Sequence, residues 1–429
     1  MNVKEIFISE NENLIQKLIE EDIDFSDIEL RKALATISAK VFNNKVGYIA
    51  FKDEDGTVYK VYIVPKIFNS SISHQELKKK FFQYMKKAFE LVSKYGKKYY
   101  KELENYDTIL LFHKRKGTFR NFEDILLFKY IRILENIYSY FQKHRAYRVK
   151  YEACNSQTLK YKLDLKRNIK ELNKSKIHQI RKITLIYSKL AFITYQVLNT
   201  FQKTKLRILE EITQERLEHL VNKIKNLLRK KYKVVTSKNI KLRKLLSNNI
   251  KILFRKTEDK KLYSLLLSLL NEEIRTDNGN KNIILIPNIV TFFVSPEKIY
   301  ELYVFDIILN RLRTKCVELQ PLKKYQIIIN NKDIKNKESN PDILIKTKKY
   351  LFLMDVKWKI LKEIPSDEDI LKLERDVKVW QEERKKTIPV LVFPKISSLV
   401  SKSKSKKIKL IFSNKDMFQF YVIQIDMSF

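Results

Sequence analysis

The sequence predicts a multidomain α+β protein, and two observations indicate this fold class. All prolines except Pro65 lie from Pro287 onward, and a long stretch without proline favours long helices. On either side of that stretch, short apolar runs alternate with polar turns, which is typical of strands and hairpins. We therefore expect an N-terminal mixed α/β domain over residues 1–105, a mostly helical domain over 106–281 and an α/β domain over 282–429.

The first two parts combine strands and helices in different proportions. In the N-terminal part, the apolar runs Val46–Phe51 and Val58–Val64 flank Asp55-Gly56, which predicts a hairpin. A helix is expected over residues 75–93. In the middle part, apolar spacing predicts helices over 183–201 and 206–228, with a short strand pair around 149–165.

The third part begins with a predicted strand at Ile283–Ile286. A helix is expected to follow over 296–312, with Ser295 as its N-cap and Pro296 in its first turn. Beyond a hairpin, we expect a helix that ends near Trp380 and strands over 390–393, 409–413 and 418–426.

The predicted hairpin carries the residues on which most of the functional interpretation depends. Asp342–Ile345 and Tyr350–Met354 are apolar runs around a polar turn, so Asp342 should lie opposite Asp355. Side chains alternate along a strand, and Asp355 and Lys357 therefore point to the same side. Two carboxylates and one ammonium group are thus expected to converge on a single patch.

This arrangement suits metal-dependent hydrolysis of a phosphodiester. Mg²⁺ prefers carboxylate and water ligands, so Asp342 and Asp355 are candidate ligands, with Mn²⁺ as a substitute metal. Lys357 is the candidate catalytic lysine, which would orient or activate the water. The alternative is that Asp342 is a turn residue and that Asp355 and Lys357 form a solvated edge pair. The position of Asp355 at the end of an apolar strand favours a ligand, since an unpaired carboxylate there is costly.

A third acid, Glu301, lies among apolar neighbours on the predicted helix over 296–312. As a core acid it could hold a second metal or orient Lys357. The alternative is an ordinary glutamate on the surface of an amphipathic helix.

The charge of the chain favours a nucleic-acid partner. The 429 residues carry a formal net charge of +37, which suits binding to phosphate backbones. A general bias in composition is an alternative source of this excess, because lysine is spread along the whole chain. The local candidates for DNA binding are Lys359 and the basic loop after the strand at 390–393, namely Lys402, Lys404, Lys406 and Lys407. The alternative for that loop is a solvated surface segment.

Other motifs exclude several classes of function. The two cysteines, Cys154 and Cys316, lie far apart and give neither a disulfide framework nor a zinc site. A chain with 5 glycines contains no G-x-x-x-x-G-K-[S/T] phosphate loop. Neither a signal peptide nor an apolar stretch long enough to span a bilayer is evident, so we expect a cytoplasmic protein without a membrane partner.

The order of these motifs resembles McrC, the nuclease subunit of McrBC-type 5-methylcytosine-specific restriction systems, which has a PD-(D/E)xK nuclease fold. The similar segments are Val46–Ile49 with Val61–Ile67, Leu159–Asn168, Tyr300–Val304, and Asp355–Lys359 with Val390–Pro394. One segment departs from the family pattern, which has a glutamine and a tyrosine on the helix after the active-site strand. Here that helix reads from Glu374 to Gln381, with the glutamine displaced.

The resemblance implies a C-terminal PD-(D/E)xK restriction-endonuclease-like core over 282–429. It also implies a Mg²⁺-dependent DNA endonuclease subunit that acts on double-stranded, methylated DNA. The implied partner is a McrB-like AAA+ NTPase that uses GTP or ATP. The chain would dock through its N-terminal and middle parts and stimulate hydrolysis of the nucleotide.

Two alternative functions remain open on the sequence. One is a stand-alone PD-(D/E)xK nuclease or junction resolvase, which would cut DNA without an NTPase. The other is a non-enzymatic basic DNA-binding or scaffold protein whose acids are structural.

Overall fold

The protein is described by a computed structural model in which the following residues are placed: 2–23, 28–41, 45–68, 72–99, 109, 121–144, 150–156, 162–170, 177–183, 186–234, 257–270, 274–275, 281–282, 289–312, 316–329, 333–361, 364–382, 384–395, 406–411 and 417–427. The predicted strand at Ile283–Ile286 lies outside them.

The fold mixes helices with several sheets, as the sequence predicts. The described helices are α1 (Leu14–Glu20), α2 (Ile28–Val41), α3 (His74–Leu91), α4 (Lys97–Tyr99), α5 (Phe122–Lys143), α6 (Leu165–Lys170), α7 (Ile186–Lys203), α8 (Glu211–Tyr232), α9 (Thr257–Leu270), α10 (Pro296–Leu312) and α11 (Asp367–Trp380). The described strands are β1 (Val3–Ser9), β2 (Val46–Lys52), β3 (Val58–Val64), β4 (Lys150–Ser156), β5 (Lys162–Leu163), β6 (Ile177–Ile183), β7 (Ile274–Arg275), β8 (Lys281–Asn282), β9 (Ile289–Val294), β10 (Val317–Leu319), β11 (Lys323–Ile329), β12 (Asp333–Ser339), β13 (Ile343–Lys346), β14 (Tyr350–Val356), β15 (Lys386–Lys395), β16 (Lys406–Ile411) and β17 (Met417–Asp426).

The chain forms two compact units. Residues 1–122 and 291–429 make up the first unit, and residues 123–290 make up the second. The two outer domains expected from the sequence thus fall largely within one unit, because a strand from the C-terminal part joins the N-terminal sheet. The assignment of separate functions to three domains stays a prediction.

The first unit contains a four-stranded sheet in the order β1-β3-β2-β9. The expected hairpin is present, since β2 pairs antiparallel with β3, and β1 pairs parallel with β3. Both strands of the hairpin are almost continuously apolar and buried along their length, which is typical of a sheet covered on both faces. Helix α3, capped by the Ser73 hydroxyl, which accepts from the Glu76 N–H, contributes an apolar face that includes Phe81.

The second sheet of this unit has six strands in the order β10-β13-β14-β15-β17-β16. The predicted hairpin is the antiparallel pair β13 and β14, whereas β14, β15 and β17 run parallel. Helix α11 covers this sheet, and Leu373 and Trp380 share a core cluster with Leu353 and Leu391. The expected helix over 296–312 has the same bounds as α10.

The second unit is mainly helical. Its helices α5 and α9 are joined by the Tyr140 hydroxyl, which donates to Asp259 Oδ1 over 2.5 Å. Its largest described sheet has the order β4-β6-β5, so the two strands expected around 149–165 both pair with β6 and are not neighbours. No helix within the described ranges is both long enough and apolar enough to cross a membrane.

A close approach of two strands explains Gly47 on β2. A Cβ atom at this position would lie 2.0 Å from the carbonyl oxygen of Phe292 on β9. Because the neighbouring atom belongs to the backbone, a side chain can be accommodated only by separating the strands.

We predict that Gly47→Ala destabilises the protein by about 3 kcal/mol, at or beyond the upper end of ordinary overpacking. Urea unfolding would measure the loss. Gly56→Asn is the comparison, since Gly56 has a φ of 88° but only the end of the Lys52 side chain near its Cβ position, and asparagine tolerates that backbone better than other residues. Equal stability of Gly47→Ala and wild type would contradict the expectation.

Candidate active site

The hairpin of β13 and β14 places Asp342 beside the C-terminal end of β14. Ile343 pairs with Met354, and the residue before β13 is Asp342. Its Oδ2 accepts the Val356 N–H over 2.6 Å. The side chain is half-buried, and no second hydrogen bond to it is formed by the described residues. Oδ1 therefore remains available to a ligand.

Asp355 lies near the end of β14 and is fully buried, with 0% of its surface exposed. Two lysines neutralise it. Lys357 Nζ lies 2.7 Å from Oδ2, and Lys372 Nζ, from α11, lies 2.6 Å from Oδ1. A buried carboxylate requires such partners, since loss of one would leave an uncompensated charge.

Lys357 lies between two carboxylates. Besides Asp355, it contacts Asp369 Oδ1 at 3.4 Å. Burial lowers the pKa of Lys357, but Asp355 and Asp369 oppose this and raise it above its usual value. The lysine is therefore an ammonium group at neutral pH.

Asp369 in the first turn of α11 is a site residue that the motif did not identify. It accepts the Ser366 hydroxyl at 2.7 Å and receives Lys359 on both of its oxygens at 3.1 Å. Burial raises the pKa of Asp369, but Ser366 and the lysines outweigh burial and lower it. The spacing Ser-x-x-Asp at a helix start, resembling a capping box, was a signal available in the sequence.

Glu301 on α10 is buried, with 7% of its surface exposed, as expected for a core acid. Gln320 Nε2 donates to its Oε2 over 3.1 Å. Burial raises the pKa of Asp342 well above its usual value, and the carboxylates of Glu301 and Asp355 raise it further. The carboxylates of Glu301 and Asp355 therefore lie close enough to Asp342 to disfavour its charge.

These acids offer carboxylate oxygens, which are ligands that Mg²⁺ prefers. Their negative charges also repel one another. A divalent cation would relieve the repulsion that raises the pKa of Asp342. Both oxygens of Asp355 are held by lysines, so a cation there would compete with them. Among the residues that the structure places, no three histidine, cysteine or acidic side chains already form a metal-binding group. Metal binding stays a prediction.

A cleft of about 740 Å³ adjoins the site. Its basic lining residues are Lys66, Lys357, Lys359, Lys372 and Arg375. Of the predicted DNA-binding residues, Lys359 therefore lies in the cleft. Lys406 and Lys407 are the first residues of β16 and not part of a loop, and Lys402 and Lys404 lie outside the described residues.

The helix that departs from the family pattern is α11. Gln381 is its C-cap and follows its last residue, whereas Lys372 and Arg375 on the same helix reach the cleft. Arg375 donates to the buried carboxylate of its neighbour Asp376 over 3.0 Å. Sequence reasoning did not identify Lys372, because an additional lysine in so basic a chain carries no distinguishing signal.

Residues 41–394 match the sequence profile of a restriction-system component, which defines the class of protein. The family is described as "McrBC 5-methylcytosine restriction system component", and the chain belongs to it. The resemblance predicted from the sequence is confirmed at the level of this family. No curated protein matches the chain.

Two solved structures from Thermococcus gammatolerans are similar to the chain. One is described as a refined half-complex from a tetradecameric assembly of McrB AAA+ hexamers with bound McrC; it is 13% identical, with a TM-score of 0.43, and the match covers 99% of this chain and 95% of that chain. The other is a cryo-EM structure of the McrBC complex; it is 12% identical, with a TM-score of 0.32, and the match covers 72% of this chain and 88% of that chain.

We predict that Asp342→Asn stabilises the protein when no divalent metal is present. Burial raises the pKa of Asp342 above its usual value, so ionised Asp342 disfavours the folded state. That penalty is absent well below pH 3.8, grows as pH rises through the unfolded pKa and levels off above the folded pKa. Asparagine keeps the acceptor for Val356 without the charge.

Urea unfolding in EDTA at about pH 4 and pH 7.5 would test this prediction, with a gain on the order of 1 kcal/mol at the higher pH and a smaller one at the lower. Glu318→Gln is the matched control, because Glu318 is an exposed acid on β10 paired with Lys346. A destabilised Asp342→Asn at pH 7.5 would show that its charge is favourable.

Proposed function

We propose that the chain is the Mg²⁺-dependent DNA endonuclease subunit of a McrBC-like modification-dependent restriction complex, built on a PD-(D/E)xK core. The observation that carries this proposal is that Asp342, which accepts the Val356 N–H, and the ion pair of Asp355 and Lys357 lie at the end of β14, beside a cleft with five basic lining residues. Membership of the McrBC family supports the same conclusion.

The roles of the residues follow from their chemistry. Asp342 and Asp355 would hold the metal, with Glu301 as the supporting acid. Bound Mg²⁺ would lower the pKa of a water ligand and offset charge on the scissile phosphate. Lys357 Nζ lies 2.7 Å from Asp355 Oδ2, so as an ammonium group it would donate a hydrogen bond that orients water or phosphate.

The cleft supplies a surface for the DNA backbone. Lys66, Lys359 and Arg375 place positive charge beside Lys357, and Lys-phosphate contacts of this kind give affinity that falls with salt. Methylated double-stranded DNA is the substrate that the family description favours. Recognition of the modified base is left to the partner, since base specificity needs contacts beyond the backbone.

The proposed partner is a McrB-like AAA+ NTPase that uses GTP or ATP. The chain lacks a Walker phosphate loop of its own, and the similar Thermococcus gammatolerans chain is bound to McrB AAA+ hexamers. The chain would dock on that ring and stimulate its nucleotide hydrolysis.

One observation favours a second candidate, a non-enzymatic DNA-binding or scaffold protein. Lysine Nζ atoms lie within 2.7 Å of both oxygens of Asp355, and ion pairs of this kind also compensate a purely structural carboxylate. The two candidates differ in whether DNA is cut.

We predict that Asp355→Ala and Lys357→Ala each lower cleavage of methylated plasmid by at least about 100-fold. The assay combines the chain with Mg²⁺, a McrB-like AAA+ NTPase and its nucleotide, and each component is omitted in turn. Asp367→Ala and Lys378→Ala are the matched controls, because both side chains are exposed on α11.

The outcomes separate the candidates. Cutting that requires the partner, nucleotide and Asp355 would support the restriction subunit. Cutting by the chain alone would indicate a stand-alone nuclease or junction resolvase. Binding without any cutting dependent on Asp355 would indicate the DNA-binding protein.

We also predict that Lys372→Met tightens Mn²⁺ binding by roughly tenfold, or about 1.4 kcal/mol. The substitution removes the ammonium group that lies 2.6 Å from Asp355 Oδ1 and competes with the cation. Electron paramagnetic resonance of free Mn²⁺ would measure the affinity without any need for activity. Lys378→Met is the control, since Lys378 on the same helix pairs with Glu374; weaker Mn²⁺ binding by Lys372→Met would contradict competition.

A further inference from the structure

Two parallel strands of the N-terminal sheet end at the same edge. Glu10 directly follows β1, and Lys66 lies two residues beyond β3. Since β1 and β3 run parallel, their carboxyl ends meet there. The Glu10 N–H donates to Val64 O over 3.0 Å, and the Lys66 N–H donates to Glu10 Oε1 over 3.0 Å.

The same carboxylate oxygen reaches the active-site segment. Trp358 Nε1 donates to Glu10 Oε1 over 2.8 Å, between residues 348 positions apart in the sequence. Trp358 lies between Lys357 and Lys359 and is 4% exposed. Its ring centroid is 5.4 Å from that of Tyr300, the neighbour of Glu301 on α10.

The contact between Trp358 and Glu10 lies just beyond the C-terminal end of β14. Strand β14 ends at Val356, and the last backbone hydrogen bond along it joins the Lys357 N–H to Val392 O at 2.8 Å. Within the described residues, the indole N–H donates to Glu10, and Lys66 Nζ lies 5.7 Å from the centroid of the Trp358 ring. Trp358 is therefore held by side-chain contacts just beyond the end of the strand.

Glu10 is an unusual residue to bury for packing alone. It is 0% exposed, and its Oε2 has no hydrogen-bond partner among the described residues. Burial raises the pKa of Glu10, opposed by Lys66 and Trp358. Burying a carboxyl group with one oxygen unsatisfied costs stability. The other oxygen, Oε1, accepts hydrogen bonds from the Lys66 N–H and from Trp358 Nε1, and this role as a double acceptor is a reason for a carboxyl group at this position.

We propose that Glu10 is a positioning residue for the active site, which fixes Trp358 and thereby the adjacent Lys357. The N-terminal sheet then forms part of the catalytic scaffold in addition to any role in docking. The importance of Lys357 rests on the proposed function, but the contact between Glu10 and Trp358 does not.

Three variants of the full chain test this proposal. Glu10→Ala removes the acceptor, Trp358→Phe removes the donor and keeps a ring against Tyr300, and Glu10→Gln keeps an acceptor oxygen without a carboxyl group. Glu21→Ala is the control, because Glu21 is exposed in the same part of the chain. Circular dichroism verifies folding, and Trp358→Phe carries the test if Glu10→Ala does not fold.

The first measurement is plasmid cleavage with the partner NTPase. Glu10→Ala and Trp358→Phe should lower kcat by about tenfold to 100-fold, as misplacement of a catalytic group does, with the KM for DNA within about twofold of wild type. Glu10→Gln should retain most of the wild-type kcat. Unchanged kcat in Glu10→Ala, or a Glu10→Gln as impaired as Glu10→Ala, would overturn the proposal.

The second measurement needs no activity. Lysine acetylation followed by mass spectrometry reports the reactivity of Lys357, whose side chain is 15% exposed and held by Asp355. Lys357 should be labelled several times faster in Glu10→Ala and Trp358→Phe, and at the wild-type rate in Glu10→Gln. Lys378 should not change. A wild-type protein that never cuts DNA would refute the proposed function, and wild-type labelling of Lys357 in Glu10→Ala would refute the positioning role.

Discussion

A fully buried carboxylate is the constraint around which this part of the protein is organised. Asp355 is removed from water, and charge in such a place must be compensated within hydrogen-bonding distance. One compensating lysine, Lys357, directly follows the strand of Asp355 and the other comes from α11. The helix therefore has to lie against the end of β14. Its N-terminus, with Asp369, in turn receives Lys357 and Lys359, so acids and lysines alternate across the site.

The site draws on more of the chain than the motif alone. Asp342 directly precedes β13 and Asp355 lies on β14, whereas α10 supplies Glu301 and α11 supplies Lys372 and Asp369. A second set of buried hydrogen bonds holds α11 in place. Trp380 Nε1 donates to the Ser339 hydroxyl at 2.9 Å, and the Ser339 hydroxyl donates to Asp376 Oδ1 at 3.0 Å. These two hydrogen bonds join α11 to β12 and lead to Oδ1 of Asp376, whereas its Oδ2 has no hydrogen-bond partner among the described residues. The helix position that Asp355 requires is thus held from both ends of α11.

Local sequence patterns predicted the helices and strands that carry the site. They did not predict the contacts between residues that are distant in sequence. The hairpin of β13 and β14 and the bounds of α10 follow from alternation, a polar turn and a proline at a helix start, all of which act within a few residues. The pairing of β2 with β9, the Lys372 contact and the hydrogen bond from Trp358 to Glu10 join segments that no local periodicity relates. Lys406 and Lys407 were predicted to lie in a loop, because the serines and lysines before them obscure the alternation that is typical of a strand.

The order in which the chain is made gives the sheet β1-β3-β2-β9 a further consequence. Its first three strands are complete at Val64, but β9 begins only at Ile289. At a synthesis rate of roughly 5 to 20 residues per second, the ribosome takes on the order of 10 to 50 s to deliver the missing strand. During that interval the edge of β2, apolar along most of its length, is open to pairing with other chains. The nascent protein is therefore most vulnerable to aggregation before its last third has been translated, while the intervening helical unit is emerging.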